Sequence, residues 1–115
     1  MQLGKKKSEI MCIELFDEIP VRGNAIVVIG DLKNCEPCKE LHGFLKSQKD
    51  NIDATVVDID HEDFSACKPN ANGVSMPTIL FIKDANVVGA QSGFGGGGKF
   101  IETMKLKFGL NSYKK

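Results

Sequence analysis

The residues of this chain whose types and spacing could do chemistry are two cysteines separated by two residues, Cys35 and Cys38 in Asn34-Cys35-Glu36-Pro37-Cys38-Lys39. They follow an apolar run and open a helical pattern. A cysteine delivered by a strand to a helix N-terminus becomes reactive, because the orphan backbone N–H groups and aligned peptide dipoles there favour the thiolate. Cys35 is therefore the candidate nucleophile. Cys38, three positions on, lies near enough on the first turn to close a disulfide, so it is the candidate resolving thiol for a mixed disulfide formed at Cys35. Pro37 needs no N–H in a first turn, and its fixed φ stiffens the bend. A lone CxxC also fits half of a zinc site or a structural disulfide. Zinc normally takes four ligands, and Cys12, His42, His61 and Cys67 supply neither a second CxxC nor a close Cys/His knuckle. On these residues alone redox chemistry leads, with metal binding and an inert pair still open.

The elements that position the pair can be read outward from it. Ala25 to Ile29 is an unbroken apolar, largely β-branched run, the pattern of a strand covered on both faces, and Gly30 to Asn34 is the loop at its C-terminal end, where open α/β sheets place their chemistry. From Glu36 to about Lys49 the spacing predicts a helix with Cys38, Leu41, His42 and Leu45 on one stripe. Ala54 to Ile59 reads as a second central strand. It breaks into Asp60-His61-Glu62-Asp63, whose acidic side chains suit the N-terminus of a short helix running through Phe64 and Cys67. That purpose explains the acidic cluster without a metal. Lys68 to Gly73 is a loop. Met76-Pro77-Thr78 leads into a third strand, Ile79 to Ile82, with the proline at the strand entrance where its missing N–H costs least. A hairpin over Lys83 to Asn86 returns the chain as an antiparallel fourth strand, Val87 to Ala90. The Gly-rich turn Gly93 to Gly98 lacks the Lys-Ser/Thr that a phosphate loop requires. A last helix is expected from about Lys99 to Phe108, with Phe100, Ile101, Met104 and Phe108 buried and Gly109 as its stop.

The first βαβ unit must give parallel strands and the last pair an antiparallel hairpin, so the fold class is α/β, a central four-stranded mixed sheet flanked by helices on both faces. Upstream, Cys12, Leu15, Phe16 and Ile19 follow helical spacing after a Ser8 cap. Ile10 to Ile13 could also form a short edge strand; a helix over most of residues 8 to 22, ended by Pro20, is the expectation. Cys12 reads as a buried small hydrophobe. At 115 residues, with 42% hydrophobic and 26% charged side chains, the chain suits one domain, 1–115. The basic segment 1–7 is expected to be flexible and 111–115 to fray. Formal net charge is zero, so neither a nucleic acid nor a membrane is indicated as partner. The apolar run after the basic segment is only four residues long before Glu14, too short for a signal peptide or a membrane span. Four cysteines without an export signal point to a reducing, cytoplasmic setting, where a CxxC disulfide would be transient.

Over roughly residues 13 to 110 the sequence resembles the thioredoxin family, on three anchors: Cys35-Glu36-Pro37-Cys38-Lys39 after the first strand, Met76-Pro77-Thr78 before the hairpin, and Gly93 after its second strand. The resemblance implies a thioredoxin-like fold. It also implies that Pro77 is cis and faces the disulfide, and that the Met76 backbone pairs with the substrate chain. Asn34 and Glu36 depart from the tryptophan and glycine usual at those places. Glu36 puts a carboxylate near the thiolate, an effect that raises a thiol pKa, and Asn34 removes an aromatic contact surface. The family's buried aspartate would fall at Ile29 and its lysine partner near Val56.

The function expected from these readings is a monomeric thiol-disulfide oxidoreductase that reduces disulfide-containing protein substrates through Cys35 and Cys38. It would be restored by an external reductase or glutathione system and would need no bound cofactor. The alternatives are a thioredoxin-like binding module that uses its thiols little, a glutaredoxin-like glutathione-dependent reductase, and, third, a metal site. Asn34, Glu36, Pro37, Met76 and Pro77 are the residues expected to shape the site. His42, one turn below Cys38, is read as packed or partly exposed, and Cys67 as facing the site or simply packed.

Overall fold

The computed structural model describes residues 19–31, 33–67 and 76–114, with the side chains of 65–67 excepted. The segment 1–7, Cys12, the loop 68–75 and the Cys67 side chain lie outside the described residues. So does the helix expected over 8 to 22, up to residue 18; from Ile19 to Gly23 the chain bends without helix.

The strands are β1 (Asn24–Gly30), β2 (Thr55–Asp60), β3 (Thr78–Lys83) and β4 (Asn86–Ser92); the helices are α1 (Glu36–Ser47), α2 (His61–Cys67) and α3 (Gly97–Phe108), followed by one 3-10 turn, Leu110–Ser112. They form a mixed sheet in the order β2-β1-β3-β4, with β1 parallel to β2 and antiparallel to β3, and β3 antiparallel to β4. The apolar run of β1 is buried from Ala25 to Gly30, as expected of a strand with neighbours on both edges and helices over both faces. Its even residues, Ile26 and Val28, pack with Ile79 and Phe81 against Leu41 and Leu45 of α1 and Phe100 and Met104 of α3. Its odd residues, Ala25, Val27 and Ile29, pack with Val57 and Ile59 toward Phe64 of α2. The period of two in a strand thus distributes one hydrophobic run over two cores, and the sheet carries helices on both faces.

Three expectations need correction. β2 was read as central, yet among the described residues it lies at the sheet edge, and only Val57 and Ile59 of its six residues are buried. α3 starts at Gly97 instead of Lys99. Glycine weakens a helix, but at this position any side chain would run into the ring of Phe44, which stacks edge-on against Phe100 with centroids 5.9 Å apart. Packing of α1 against α3 therefore decides the start of the helix.

The C-terminus, expected to fray over 111–115, is held through Lys114, and Lys115 lies outside the described residues. Ser112 is buried, Tyr113 forms an antiparallel bridge with Ile52, and the Tyr113 hydroxyl lies 2.7 Å from Gln48 Oε1. The Asp53 N–H donates to the Ser112 carbonyl at 2.8 Å and the Lys114 N–H to the Asn51 carbonyl at 2.7 Å. The tyrosine gives the tail both an apolar body over Ile52 and a polar anchor. Removing residues 110–115 should therefore lower the unfolding free energy by roughly 2 kcal/mol or more, at about 1 kcal/mol for each lost hydrogen bond. Urea titration of the truncated and full chains checks this.

Candidate active site

Cys35 is the N-cap of α1, in an extended conformation (φ −116°, ψ 108°), and its Sγ accepts the Cys38 N–H at 3.2 Å. The sulfur thus takes the place that a serine or aspartate oxygen commonly holds at a helix start, and a negative charge there is stabilised by the N–H and by the helix dipole. Cys35 and Cys38 are disulfide-bonded, with Cα atoms 5.2 Å apart. Cys35 is 9% exposed and Cys38 only 1%, so an incoming group reaches Cys35 first. Glu36 and Pro37 complete the first turn, both exposed.

The buried Cys38 sulfur is enclosed by the end of β1. A side chain on Gly30 would place its Cβ 2.8 Å from Cys38 Sγ, 3.3 Å from Cys38 Cβ and 3.8 Å from Pro77 Cβ. Gly30, Cys38 and Pro77 therefore meet at one point. Strand register explains the meeting: Ile29 pairs with Thr78, which sets residue 77 beside Gly30, and Thr78 pairs with Ser92, which sets residue 77 beside Gly93. The Pro77 carbonyl accepts the Gly93 N–H at 2.7 Å, and Gly93 has φ +80°, a conformation glycine adopts freely. The Met76-Pro77 bond is cis, and Pro77 is fully buried while Met76 stays 38% exposed.

Beside Cys38 a cleft of about 260 Å³ opens between α1 and β2, lined by Val28, Gly30, Lys33, His42, Asp58 and Asp60 among others. His42 is half exposed and faces Asp58, Nδ1 to Oδ2 3.8 Å. It lies at the edge of the helical stripe and borders the cleft. His61 Nδ1 lies 3.8 Å from Asp60 Oδ1, and Asp60 caps α2 by accepting the Glu62 N–H at 2.8 Å. The acidic opening of α2 is accordingly a helix cap. Among the described residues no cluster of three or more His, Cys, Asp or Glu side chains could hold a metal ion.

Val28 and Ile29 leave β1 on opposite faces. Ile29 points into the core on the α2 side, away from Cys38, whereas Val28 lines the cleft with Cys38. On the face of β1 that carries Gly30 and the cleft, the preceding residue is Val28, opposite Asp58 in the parallel pairing, while Ile29, opposite Ile59, belongs to the other face. Both residues are apolar. Val56, named as the lysine position, is 37% exposed on the edge strand.

Asp31 and Gly30 were missed as site residues when the loop was read only as a connection. Asp31 is 7% exposed. Its Oδ1 accepts the N–H of Lys33 at 2.9 Å and of Asn34 at 3.3 Å, and its Oδ2 accepts the Asn34 side-chain amide at 3.2 Å. Donation from the Lys33 N–H above all holds the Asp31 carboxyl below its usual range; burial opposes this, while both Asn34 groups and the nearby His61 reinforce it. A value depressed on folding adds stability at neutral pH, and that contribution is lost on acidification as the folded carboxyl takes a proton. The available signal was an aspartate opening a short loop with an amide two and three residues on, the pattern of an Asx turn. Asn34, read only as a missing aromatic, is the partner of that carboxylate.

No family model matches the chain, and no curated protein sequence matches it. Its structure is similar to solved thioredoxins. The Schistosoma mansoni thioredoxin superposes with a TM-score of 0.64 at 23% identity, covering 83% of this chain and 85% of that one. Plasmodium falciparum thioredoxin gives 0.62 at 21%, covering 84% and 79%. The oxidised mitochondrial thioredoxin 3 of Saccharomyces cerevisiae gives 0.63 at 17%, covering 82% and 88%. The chain has the thioredoxin fold, as its three sequence anchors implied.

Two outcomes follow from the geometry. Gly30→Ala should displace Cys38, because neither contacting atom belongs to a flexible chain end, and should cost about 1–3 kcal/mol as an overpacked site. Thermal unfolding of the oxidised protein measures the cost. Glu36 is 80% exposed and its Oε1 lies 3.3 Å from Lys39 Nζ, so its charge is both solvated and countered. Glu36→Gln should lower the pH midpoint of Cys35 thiolate formation by well under about one pH unit, the lower end for a close, desolvated pair. Ultraviolet absorbance of the thiolate against pH, with Cys35→Ser as the blank, reads that shift.

Proposed function

We propose, from a thioredoxin-like fold with a CxxC pair at the start of α1, that this protein is a thiol-disulfide oxidoreductase which reduces disulfides in protein substrates. The observation that carries the reading is the unequal setting of the two sulfurs. Cys35 caps the helix with an N–H on its Sγ and keeps 9% exposure, and Cys38 lies behind it at 1%, bonded to it.

In the dithiol form the Cys35 thiolate attacks one sulfur of a substrate disulfide. A Cys35–substrate disulfide forms, the substrate S–S bond breaks, and the departing thiolate takes a proton from solvent. Cys38 then releases its proton to solvent and attacks Cys35 Sγ, closing the Cys35–Cys38 bond and expelling the second substrate thiolate, which takes a proton from solvent in turn. The substrate gains two electrons and the protein loses two. An external dithiol reductase or glutathione returns them, and no bound cofactor enters either step. Pro77 meets Cys38 at Gly30 on the side of β3, where an extended substrate segment would lie, and the exposed Met76 before it offers an apolar surface. Among the described residues no helix is long and apolar enough to cross a membrane. A reducing compartment such as the cytoplasm suits a pair that must be returned to the dithiol after each cycle.

Cys35→Ser should abolish disulfide reduction, whereas Cys38→Ser should trap a covalent substrate adduct on Cys35, because only Cys35 holds the cap position. Peptide mass spectrometry of each variant after exposure to a disulfide-bonded protein locates the adduct. An adduct on Cys38 in preference to Cys35 would reverse the roles, and no adduct on either would overturn the reading.

A further inference from the structure

Among the described residues the proposed cycle leaves one buried charged group without a task. Asp31 sits in the loop between β1 and α1, and its contacts reach both cysteines. Its backbone N–H donates to Cys38 Sγ at 3.4 Å, and its carbonyl accepts the Cys35 N–H at 3.1 Å. Its carboxylate meanwhile holds the Lys33 and Asn34 N–H groups and the Asn34 side chain.

The two sulfurs differ in what supplies their hydrogen bond. Cys35 Sγ receives the Cys38 N–H from within the first turn of α1 itself. That bond depends only on helix geometry. Cys38 Sγ receives its N–H from Asp31, a loop residue, and that bond depends on whatever fixes the loop. Cys38 also needs the help more: at 1% exposure, against Gly30 and beside a cleft it shares with the apolar Val28, a thiolate there is disfavoured by desolvation, and β1 supplies no carboxylate to take the proton.

We propose that Asp31 is the positioning residue for the resolving step: its carboxylate locks the Lys33–Asn34 turn so that its own N–H stays aimed at Cys38 Sγ and stabilises the Cys38 thiolate as it attacks Cys35. Asn34 is part of the same device, since its side chain supplies the third donor to the carboxylate. This role rests on the reading of Cys35 as nucleophile and Cys38 as resolving thiol. It concerns only the second of the two displacements.

Stopped-flow mixing of the reduced full chain with excess 5,5′-dithiobis(2-nitrobenzoate) separates the two. Capping of Cys35 releases one arylthiolate at a rate proportional to reagent. Closure of Cys38 onto Cys35 Sγ releases the second at a rate independent of reagent, which also distinguishes it from labelling of Cys12 or Cys67. Asp31→Ala should slow the reagent-independent phase about tenfold and raise its pH midpoint by about one pH unit, as expected for a weakened hydrogen bond to a charged group. The reagent-dependent phase of Cys35 should stay within about twofold, because its N–H comes from the helix. Asp31→Asn keeps an oxygen acceptor for the turn and should recover the second phase to within about threefold of the wild type. Where the alanine variant does not fold, Asp31→Ser, too short to span the turn and the Asn34 amide together, replaces it and should remain slower than Asp31→Asn.

An unchanged rate and pH midpoint in Asp31→Ala, or an asparagine variant as slow as the alanine or serine variant, overturns the positioning role while leaving the two-cysteine cycle intact. A wild-type protein with no reagent-independent phase overturns the cycle itself.

Discussion

The close approach of Cys38 to the backbone of β1 is the contact on which the site depends. At Gly30 the strand carries no side chain, and the Cys38 sulfur occupies the space where one would be. That approach draws the first turn of α1 down onto the C-terminal end of β1. It also places the other sulfur, three residues earlier, at the helix cap. The same point is closed from the other side by Pro77 of the neighbouring strand, whose carbonyl is in turn tied to Gly93. Three segments far apart in the chain are held to one another by a glycine without a Cβ, a proline without an N–H, and a glycine at positive φ. Each tolerates what most residues would not.

Much of this was legible because the strongest signals were local. The β-branched run of β1, the apolar spacing along α1 and α3, and the hairpin after Lys83 each follow from one periodicity or one turn. The three anchors also appear in the order in which the register later joins them. What could not be read was set by distance in the chain. β2 has the composition of a covered strand, but composition does not say which strands lie on its two edges. The start of α3 at Gly97 depends on a ring from α1, and the ordered C-terminal segment depends on Tyr113 finding Ile52 and Gln48 across the fold. The one-residue difference between Ile29 and Val28 has the same origin, for only the sheet shows which of two adjacent apolar residues points toward α1.

Asp31 was hard to read for another reason. Most aspartates in loops are solvated, and the Asx pattern states only that a turn is held, not that the turn carries a catalytic pair. Its significance appears only when the carboxylate is seen together with the backbone of the same residue, one end of which meets each cysteine. A single side chain then couples two otherwise separate requirements, the shape of the turn and the donor on Cys38.

The chemistry at Cys38 follows from what surrounds it. A buried thiol must release a proton before it can attack, and a low-polarity wall opposes that release. Val28 contributes to the wall, and the strand beneath the sulfur supplies no carboxylate. The structure offers two compensations. One is the donor from Asp31, which stabilises the anion directly. The other is the cleft of about 260 Å³ between α1 and β2, bordered by Lys33, His42, Asp58 and Asp60, which brings polar groups up to the side of the buried sulfur. The donor acts at the sulfur and the cleft at its flank, so the two are separable. A loop that loosens would weaken the first and leave the second in place, slowing Cys38 without altering the cap position of Cys35. The two cysteines are thus governed by different elements of the fold, Cys35 by the helix it caps and Cys38 by the loop and strand that enclose it.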